Sequence, residues 1–364
     1  MGIERASTLP ASSYADSQHH LDEVDRIFRS GWSCVGVVDD VATPGSYLTA
    51  RVAGTIPVIV VRDHDGSLHG YFNVCRHRGA PVAEGCGTRA MLQCPYHAWV
   101  YGLDGSLRRW SGMDDAVGFD PAGFSLHRIG VATWSRFVFV RPSPTGPDFD
   151  LGPLALAVDP YPIDEMELAI REGRTGAFNW KVLVENYSEN FHTPFVHPEL
   201  TVRGWDYPIV TDGAIALAWD RPQQPRNASE QALVTATPLD HAWAGVARDQ
   251  IDDVFIAGVY LTVFPNLLVS LFPRYLSAIR LTPLSVNRTQ IDYYRCWHPS
   301  VAPARRTADH EATLVVVEQD LRICEQVQLG YDGGIDTDGR LSPEHEAGVH
   351  HVHELLRSGE RVDQ

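Results

Sequence analysis

The sequence predicts an α+β protein in which a small all-β domain precedes a larger domain of mixed helices and strands. Short apolar runs separated by hairpin turns fill residues 32–143, whereas the long helical patterns lie beyond residue 144. A segment rich in proline at 142–147 separates the two parts. We therefore expect a helical segment at 1–31 that packs on the second domain, a β-domain at 32–143 and a second domain at 144–364.

The first part of the chain shows one helical pattern followed by strand patterns. Apolar residues at helical spacing predict a short helix at 19–31 that ends at Gly31. Asp65-Gly66 and Asp104-Gly105 are typical of hairpin turns, because glycine adopts the backbone angles that such turns need. Strands are expected at 58–61, 68–72, 99–101, near 107 and at 137–140.

The second part mixes helices with longer strands. A long helix is expected at 308–329, ending at Gly330 because glycine commonly follows the last helical residue. Three histidines at 350–353 are expected on a solvated helix end. Further helices are expected at 179–191 and 344–357, and strands at 254–264, 266–272, 275–283 and 288–297.

The composition excludes several classes of function. The 364 residues carry a net charge of -16, and no basic block is present that would bind nucleic acid. No apolar run reaches membrane-spanning length, and the first ten residues lack the apolar core of a secretory signal. Six cysteines in a chain of this length do not form a disulfide framework, so we expect a cytoplasmic protein with no membrane contact.

The first metal signature is Cys75-x-His77 followed by Cys94-x-x-His97, with sixteen residues between the pairs. Each pair follows a predicted strand, where a hairpin tip can present two side chains to a metal. Two thiolates and two imidazoles hold either zinc or a two-iron, two-sulfur cluster. Cys-x-His is unusual for zinc, whereas this combination is the pattern of Rieske clusters, in which two cysteines hold one iron and two histidines the other. Cys86 has no partner at ligand spacing.

A second candidate metal site lies between Trp180 and Pro198. His192 and His197 are five residues apart, which a straight helix would place on different faces. Pro194 interrupts such a helix, so the chain can turn and bring the two imidazoles together. Two imidazoles and one carboxylate form a three-ligand iron site with open positions.

The missing carboxylate is expected on the helix at 308–329. Asp320 shares its helix face with valine, isoleucine and cysteine side chains, and a buried carboxylate is costly unless it is paired or binds a metal. Glu318 lies instead on a mixed face with Arg322 and Glu325. We therefore expect Asp320 to be the third ligand; the alternative is an acid paired with an arginine.

Together these residues resemble the large (alpha) subunit of Rieske non-haem iron oxygenases, also called ring-hydroxylating oxygenases. The resemblance rests on both Cys/His pairs, on Asn179-Trp180-Lys181, on Glu185-Asn186-Tyr187-x-Glu189-x-x-His192-x4-His197 and on Gln319-Asp320, and it spans nearly the whole chain. It implies a helix-grip catalytic domain with a curved antiparallel sheet.

The resemblance also implies how the sites work. A Rieske [2Fe-2S] cluster at Cys75, His77, Cys94 and His97 would pass electrons to a mononuclear Fe²⁺ at His192, His197 and Asp320. Glu189 takes the place of the acidic residue that bridges to a cluster histidine of a neighbouring subunit, which implies a head-to-tail homotrimer. A glutamate at this spacing is similar to the branch that acts on choline, betaine and carnitine.

The function implied is a terminal oxygenase that uses O2 to hydroxylate or N-demethylate a small molecule, with a quaternary amine favoured and an aromatic ring or acid as the alternative. No nicotinamide or flavin domain is apparent, so electrons come from a separate NAD(P)H reductase or ferredoxin. Aromatic residues expected near the pocket are Trp205, Tyr207, Trp219, Trp243, Phe255, Tyr260 and Phe264. A Rieske electron carrier and a zinc-binding interaction protein are the more remote alternatives.

Overall fold

The computed structural model describes residues 2–200, 205–223, 225, 231, 234–235, 237–239, 258–335 and 339–358. The chain forms two compact units: Glu23–Phe149 is one, and Met1–Asp22 together with Asp150–Gln364 is the other. The domain limits expected at 31/32 and 143/144 stay predictions. Among the described helices, none is both long and apolar enough to cross a membrane.

The unit Glu23–Phe149 is built from antiparallel strands in two sheets. The seven-stranded sheet has the order β1-β10-β9-β4-β3-β2-β5, and the three-stranded sheet has the order β6-β7-β8. The strands are β1 (Ser33–Val37), β2 (Ser46–Val52), β3 (Ile56–Arg62), β4 (Leu68–Phe72), β5 (Cys86–Thr88), β6 (Leu92–Gln93), β7 (Val100–Tyr101), β8 (Leu107–Arg109), β9 (Arg128–Trp134) and β10 (Phe137–Arg141). A π-helix (Val24–Arg29) and 3-10 helices at Val38–Val41 and Pro121–Phe124 complete this unit.

Both predicted hairpins of this unit are confirmed. β3 pairs with β4 around a turn in which Gly66 has a φ of 89°, and β7 pairs with β8 around Gly105 with a φ of 81°. These left-handed angles favour glycine over any residue with a side chain. A buried cluster that includes Tyr71, Trp99 and Tyr101 packs beneath the segments that follow β4 and β6. It gives those two segments a rigid base.

The other unit is organised around a seven-stranded antiparallel sheet of order β11-β19-β18-β17-β16-β14-β13, with β12 and β15 forming a separate pair. The strands are β11 (Glu167–Gly176), β12 (Trp205–Asp206), β13 (Ile209–Asp212), β14 (Ile215–Trp219), β15 (Arg221–Pro222), β16 (Val259–Val263), β17 (Leu267–Phe272), β18 (Tyr275–Ser285) and β19 (Arg288–Trp297). The helices are α1 (Ser12–Ala15), α2 (Ser17–Glu23), α3 (Trp180–Tyr187), α4 (Thr193–Val196), α5 (Pro303–Asp332) and α6 (Ala347–Ser358), with 3-10 helices at Ile3–Arg5, Pro153–Val158, Ile163–Glu165 and Pro198–Leu200. α2 runs across the division between the units.

Helix α3 lies on one face of this sheet and packs against α5. The hydroxyl of Tyr187 lies 2.7 Å from Ser270 Oγ on β17, and Ser188 Oγ lies 2.9 Å from Thr262 Oγ1 on β16. The amide oxygen of Gln328 on α5 accepts a hydrogen bond from the backbone of Asn179 at the start of α3. These bonds fix α3, which precedes the two candidate histidine ligands, and α5, which carries Asp320.

Two expectations from the sequence are corrected here. Helix α5 begins at Pro303 and continues through Gly330 to Asp332, since Gly330 is tolerated within a helix and the left-handed residue is Gly334, with a φ of 67°. His353 is 1% exposed because α6 packs against α3, so it does not lie on a solvated helix end. The strand expected at 254–264 is Val259–Val263 in the structure, and residues 254–257 lie outside the described part.

Candidate metal centres

Cys75 and Cys94 head two loops of matching shape. The backbone amide of Gly79 bonds to the carbonyl of Cys75 at 3.0 Å, and that of Ala98 bonds to the carbonyl of Cys94 at 3.1 Å. Gly79 and Ala98 both have positive φ, 80° and 56°. The two loops therefore share one turn geometry, in which His77 and His97 each lie between the cysteine and the residue of positive φ.

The two loops place sulfur atoms inside and imidazoles outside. Cys75 and Cys94 are 3% and 1% exposed, whereas His77 is exposed and His97 is half-buried. The two imidazole rings lie 4.6 Å apart between centroids, and the His77 ring stacks on buried Trp99 at 5.0 Å. All four predicted residues are thus brought together at the tips of these loops.

Electrostatics at the loop tips favours the metal-binding protonation state of His97. Partial desolvation and then the nearby His77 lower the pKa of His97, which favours the neutral imidazole that binds metals. Burial raises the pKa of the Cys94 thiol, and the adjoining Cys75 thiol raises it further, so the two sulfurs lie side by side. The hydroxyl of Tyr101 lies 3.3 Å from the sulfur of Cys75.

The donor arrangement fits two metal ions better than one. No three of the four donor atoms, all of which lie in the described part of the chain, are within 4.8 Å of one another. A single tetrahedral zinc ion would hold its donors roughly 3.5 Å apart. An inner pair of thiolates and an outer pair of imidazoles fits a two-iron cluster instead.

The second site forms where α3 gives way to α4. His192 is the residue before α4 and His197 the residue after it, and Pro194 lies in the first turn of this short helix. The two histidines therefore flank a single helical turn, and their ring centroids lie 5.3 Å apart. The break expected at Pro194 is what brings them together.

Asp320 on α5 completes a group of three. Its Oδ1 lies 2.9 Å from Nε2 of His197 and 3.6 Å from Nε2 of His192. Two donors that bind one ion at about 2.1 Å and at right angles lie about 3 Å apart, so this spacing fits a single first-row metal ion. Glu318 lies away from the group, with its side chain 70% exposed and paired to Arg174 at 2.6 Å.

Both histidines have their other ring nitrogen occupied. Nδ1 of His192 lies 2.5 Å from Oε1 of Glu189, and Nδ1 of His197 lies 2.6 Å from Oε1 of Gln319. Because both partners accept, each Nδ1 donates and each Nε2 keeps a lone pair directed at the site. Gln319 was not assigned this role from sequence, although it adjoins Asp320.

Asp63, Asp65 and His69 form a different group of three, whose ligand atoms also lie within 4.8 Å of one another. It lies at the tip of the β3–β4 hairpin, where Asp65 accepts a hydrogen bond from the backbone of Ser67 at 2.8 Å. Hydrogen bonds from the backbone of the turn to Asp63 and Asp65 account for these two acids without a metal ion.

A buried carboxylate lies in the same unit as the three-residue group. Asp220 directly follows β14, is 5% exposed, and accepts hydrogen bonds from the Gly258 amide at 2.7 Å and the Tyr260 hydroxyl at 3.2 Å. Burial raises its pKa to about 7. Burial, followed by the charge of Asp220, also raises the pKa of Tyr207 to about 12, so Tyr207 lies close by. The acid was not recognised in the sequence, where it follows an apolar run.

The aromatic residues expected near the pocket divide into two groups. Tyr260 donates a hydrogen bond to Asp220, and Tyr207 lies within electrostatic range of it. Trp219 is buried at the end of β14, and Phe264 lies 6.3 Å from Trp180 between ring centroids. Trp243, Phe255 and the side chain of Trp205 lie outside the described part.

Two family models match the sequence. One is the Rieske [2Fe-2S] domain, over residues 31–126, and the other is the ring hydroxylating alpha subunit (catalytic domain), over residues 162–359. The second model alone covers more than half of the 364 residues.

Individual proteins match over nearly the whole chain. A chloroplastic choline monooxygenase of Spinacia oleracea is 28% identical over 96% of this chain and 77% of the relative. The oxygenase subunit of a glycine betaine monooxygenase of Pseudomonas aeruginosa is 27% identical over 95% of this chain and 87% of the relative.

Solved structures share the fold. The quaternary ammonium Rieske monooxygenase CntA in complex with L-carnitine superposes with a TM-score of 0.81 at 24% identity, covering 98% of this chain and 96% of that one. Naphthalene 1,2-dioxygenase from Rhodococcus sp. reaches 0.78 at 19% identity, covering 98% and 95%. The fold class is confirmed, and the carrier and zinc-binding alternatives are excluded. The chain belongs to the ring-hydroxylating alpha-subunit family and is a Rieske non-haem iron oxygenase, with a [2Fe-2S] domain followed by a catalytic domain for mononuclear iron.

Proposed function

We propose that this oxygenase uses O2, and electrons from a separate NAD(P)H reductase or ferredoxin, to oxidise an N-methyl group of a small quaternary-ammonium compound. The observation that carries the proposal is the convergence of His192, His197 and Asp320 in the unit that also holds the buried Asp220 and its tyrosines. Relatives named for choline and glycine betaine support the substrate class.

The metal assignments follow the donor chemistry. In the proposal, the thiolates of Cys75 and Cys94 bind one iron of the cluster. The neutral imidazoles of His77 and His97 bind the other. His192, His197 and Asp320 bind the mononuclear Fe²⁺. When bound, the cluster supplies single electrons and the mononuclear iron supplies a site for O2.

The protein's own contribution at the iron site is orientation. Glu189 and Gln319 accept the Nδ1 protons and so hold the two imidazoles with Nε2 facing Asp320. With three donors from the protein, an ion of six-fold preference keeps open positions for O2 beside the substrate.

The environment of Asp220 favours a cation. When ionised, the Asp220 carboxyl group that accepts from Tyr260 attracts a positively charged nitrogen, and aromatic rings attract such a cation by cation–π interaction. A carboxylate on an aromatic-acid substrate would be repelled if placed here. The quaternary amine is therefore favoured over the aromatic acid.

The overall reaction balances for N-demethylation. A methyl group on nitrogen, O2, two electrons and two protons give an N-hydroxymethyl group and one water. The C–N bond of the N-hydroxymethyl ammonium compound then breaks and its hydroxyl proton passes to the nitrogen, which gives formaldehyde and a protonated tertiary amine with one methyl group fewer. The two electrons are supplied by NAD(P)H through the reductase.

We also propose a head-to-tail homotrimer in the cytoplasm, in which Glu189 of one subunit meets a cluster histidine of the next. Apolar side chains are exposed near both ends of this path. Phe191 and Phe195 are 46% and 77% exposed beside Glu189, and Tyr96 is 53% exposed beside His97. Burying such side chains stabilises an interface.

The test is oxygen consumption by purified protein with a surrogate reductase and NADH, using choline, glycine betaine, carnitine, benzoate and naphthalene. Metal analysis of the same sample should give three irons and two acid-labile sulfides per chain. Oxygen uptake with formaldehyde release from a quaternary amine is expected. Turnover of the aromatic compounds alone would replace the proposed substrate class with the alternative.

A further inference from the structure

A buried arginine on the central sheet lacks partners for most of its side chain. Arg295 on β19 is 0% exposed, and Nη1 donates hydrogen bonds to Ser277 Oγ at 2.6 Å and Tyr275 OH at 3.2 Å. Its Nε and Nη2 have no hydrogen-bond partner within the described part of the chain. A buried guanidinium with unpaired donors costs free energy unless something supplies acceptors.

Strand register places Arg295 on the face that carries the helices. Arg295 is opposite Ser277, Ser277 is opposite Ser270, and Ser270 is opposite Tyr260. Residues directly opposite one another in antiparallel strands point to the same side of the sheet. Ser270 contacts Tyr187 of α3, so this row lies on the side of the sheet that faces the iron-site helices.

Tyr293 interacts electrostatically both with Arg295 and with the candidate iron ligand Asp320. Its guanidinium lies 5.5 Å from the ring centroid of Tyr293. Burial raises the pKa of Tyr293, Arg295 acts to lower it, and the carboxylate of Asp320 acts to raise it. Tyr293 is therefore within electrostatic range of both Arg295 and Asp320.

The row has an acidic group at one end and a guanidinium at the other. At one end Tyr260 donates to the carboxylate of Asp220, and at the other is the guanidinium of Arg295. Three strand spacings, about 14 Å, separate the backbones of Tyr260 and Arg295. Ser270 and Ser277 occupy the two intervening positions of the row, and the Tyr187 hydroxyl contacts Ser270.

We propose that Arg295 binds the carboxylate of the substrate, so that this oxygenase acts on zwitterions with a carboxylate a short chain away from the quaternary nitrogen. The inference rests on the proposed function and narrows its substrate class. Planar carboxylates accept two parallel hydrogen bonds from a guanidinium, and Nε and Nη2 form such a pair of donors. Asp220 and the tyrosines then receive the cationic end.

The test compares wild-type kcat/KM for glycine betaine and carnitine with that for choline, which has the same trimethylammonium group and a hydroxyl in place of the carboxylate. We expect a zwitterion to be preferred by about 100-fold or more, the scale of a buried charge pair. Equal or better turnover of choline would overturn the inference and leave the proposed function standing. If no quaternary amine is oxidised, both the inference about Arg295 and the proposed function are wrong.

Variants test the assignment to Arg295 itself. Arg295→Met should lower kcat/KM for the preferred zwitterion about 100-fold and change that for choline by only a few-fold, with Arg295→Lys in between. Arg171→Met is the control, because Arg171 stacks on Tyr294 on the opposite face of the sheet. If Arg295→Met keeps the substrate preference, the assignment is wrong. If that variant loses its cluster absorption, the wild-type comparison alone decides.

Discussion

The amide oxygen of Gln319 lies 2.6 Å from Nδ1 of His197, although 122 residues separate them in the sequence. An amide oxygen only accepts, so Nδ1 carries the proton and Nε2 is left to face Asp320. Helix α5 thus provides one candidate metal donor and, from the preceding residue, fixes the tautomer of another.

Replacing Gln319 should weaken iron binding without removing it. Gln319→Leu leaves Nδ1 of His197 unpaired, and loss of such a partner lowers metal affinity about 10- to 100-fold. Iron retained at the mononuclear site during dialysis against a graded chelator measures the effect. Gln319→Glu keeps an acceptor and serves as the control; equal iron retention by wild type and Gln319→Leu would contradict the assigned orientation.

Removing the carboxylate of Asp320 should abolish iron binding at the mononuclear site and leave the cluster intact. Asp320→Ala is expected to hold two irons per chain where the wild type holds three, with the cluster absorption unchanged and oxygen uptake lost. Glu318→Ala is the matched control, since Glu318 is the neighbouring acid on α5 and its side chain is 70% exposed. Normal turnover by Asp320→Ala would remove this residue from the site.

Cysteine variants should test the cluster assignment. Cys75→Ser is expected to abolish the visible absorption and the electron paramagnetic resonance signal of the reduced cluster, because the thiolate is the iron ligand. Cys86→Ser should leave both signals intact, since Cys86 is exposed and lies between the two pairs. A cluster that survives in Cys75→Ser would require a different ligand.

The charge of Glu189 should matter for electron transfer more than for metal content. Glu189→Gln keeps an acceptor for Nδ1 of His192 but cannot accept from imidazoles at both ends. We expect three irons per chain and reoxidation of the reduced cluster, with substrate and O2, slowed at least about 10-fold. The exposed Glu344→Gln is the control. An unchanged reoxidation rate would exclude Glu189 from the path between subunits.

Asp220 should make stability depend on pH. Burial raises its folded pKa to about 7, whereas an unfolded aspartate titrates near about 4. Between these values the folded protein holds a proton that the unfolded chain has released, so the contribution of Asp220 to the free energy of unfolding falls as pH rises from about 4 to about 7. Asp220→Asn should therefore gain thermal stability relative to wild type as pH rises from 5 to about 7.

Melting temperatures of the metal-loaded proteins at several pH values measure this difference. The exposed Asp212→Asn serves as the control. A melting-temperature difference that stays constant between pH 5 and pH 7 would show that Asp220 is not the responsible group.

The sequence was most informative where structure is local. The two Cys/His pairs lie on tight turns whose shape depends on residues within four positions, so spacing alone identified them. Pro194 and the two histidines around it form a single helical turn, which the proline break indicated. Asp320 could be selected over Glu318 because helical periodicity distinguishes the faces of α5.

The remaining site residues depend on contacts that the sequence does not display. Arg295 faces Ser277 only through the register of β18 and β19, and Asp220 gains its environment from Gly258 and Tyr260, some 40 residues later. Register across a sheet is set by the packing of the whole unit, so no local pattern reveals which polar residues meet.

The hydrogen bonds between Gln328, Asn179 and the backbone of Tyr14 have a consequence for how the enzyme acquires its metal. They hold the start of α3 and the N-terminal segment against α5 more than two helical turns away from Asp320, through protein contacts alone. Protein contacts alone therefore hold these segments in position, so iron binding requires no folding of this part of the chain. Stripping the ion with a chelator and adding ferrous salt should restore turnover within minutes, with no refolding step.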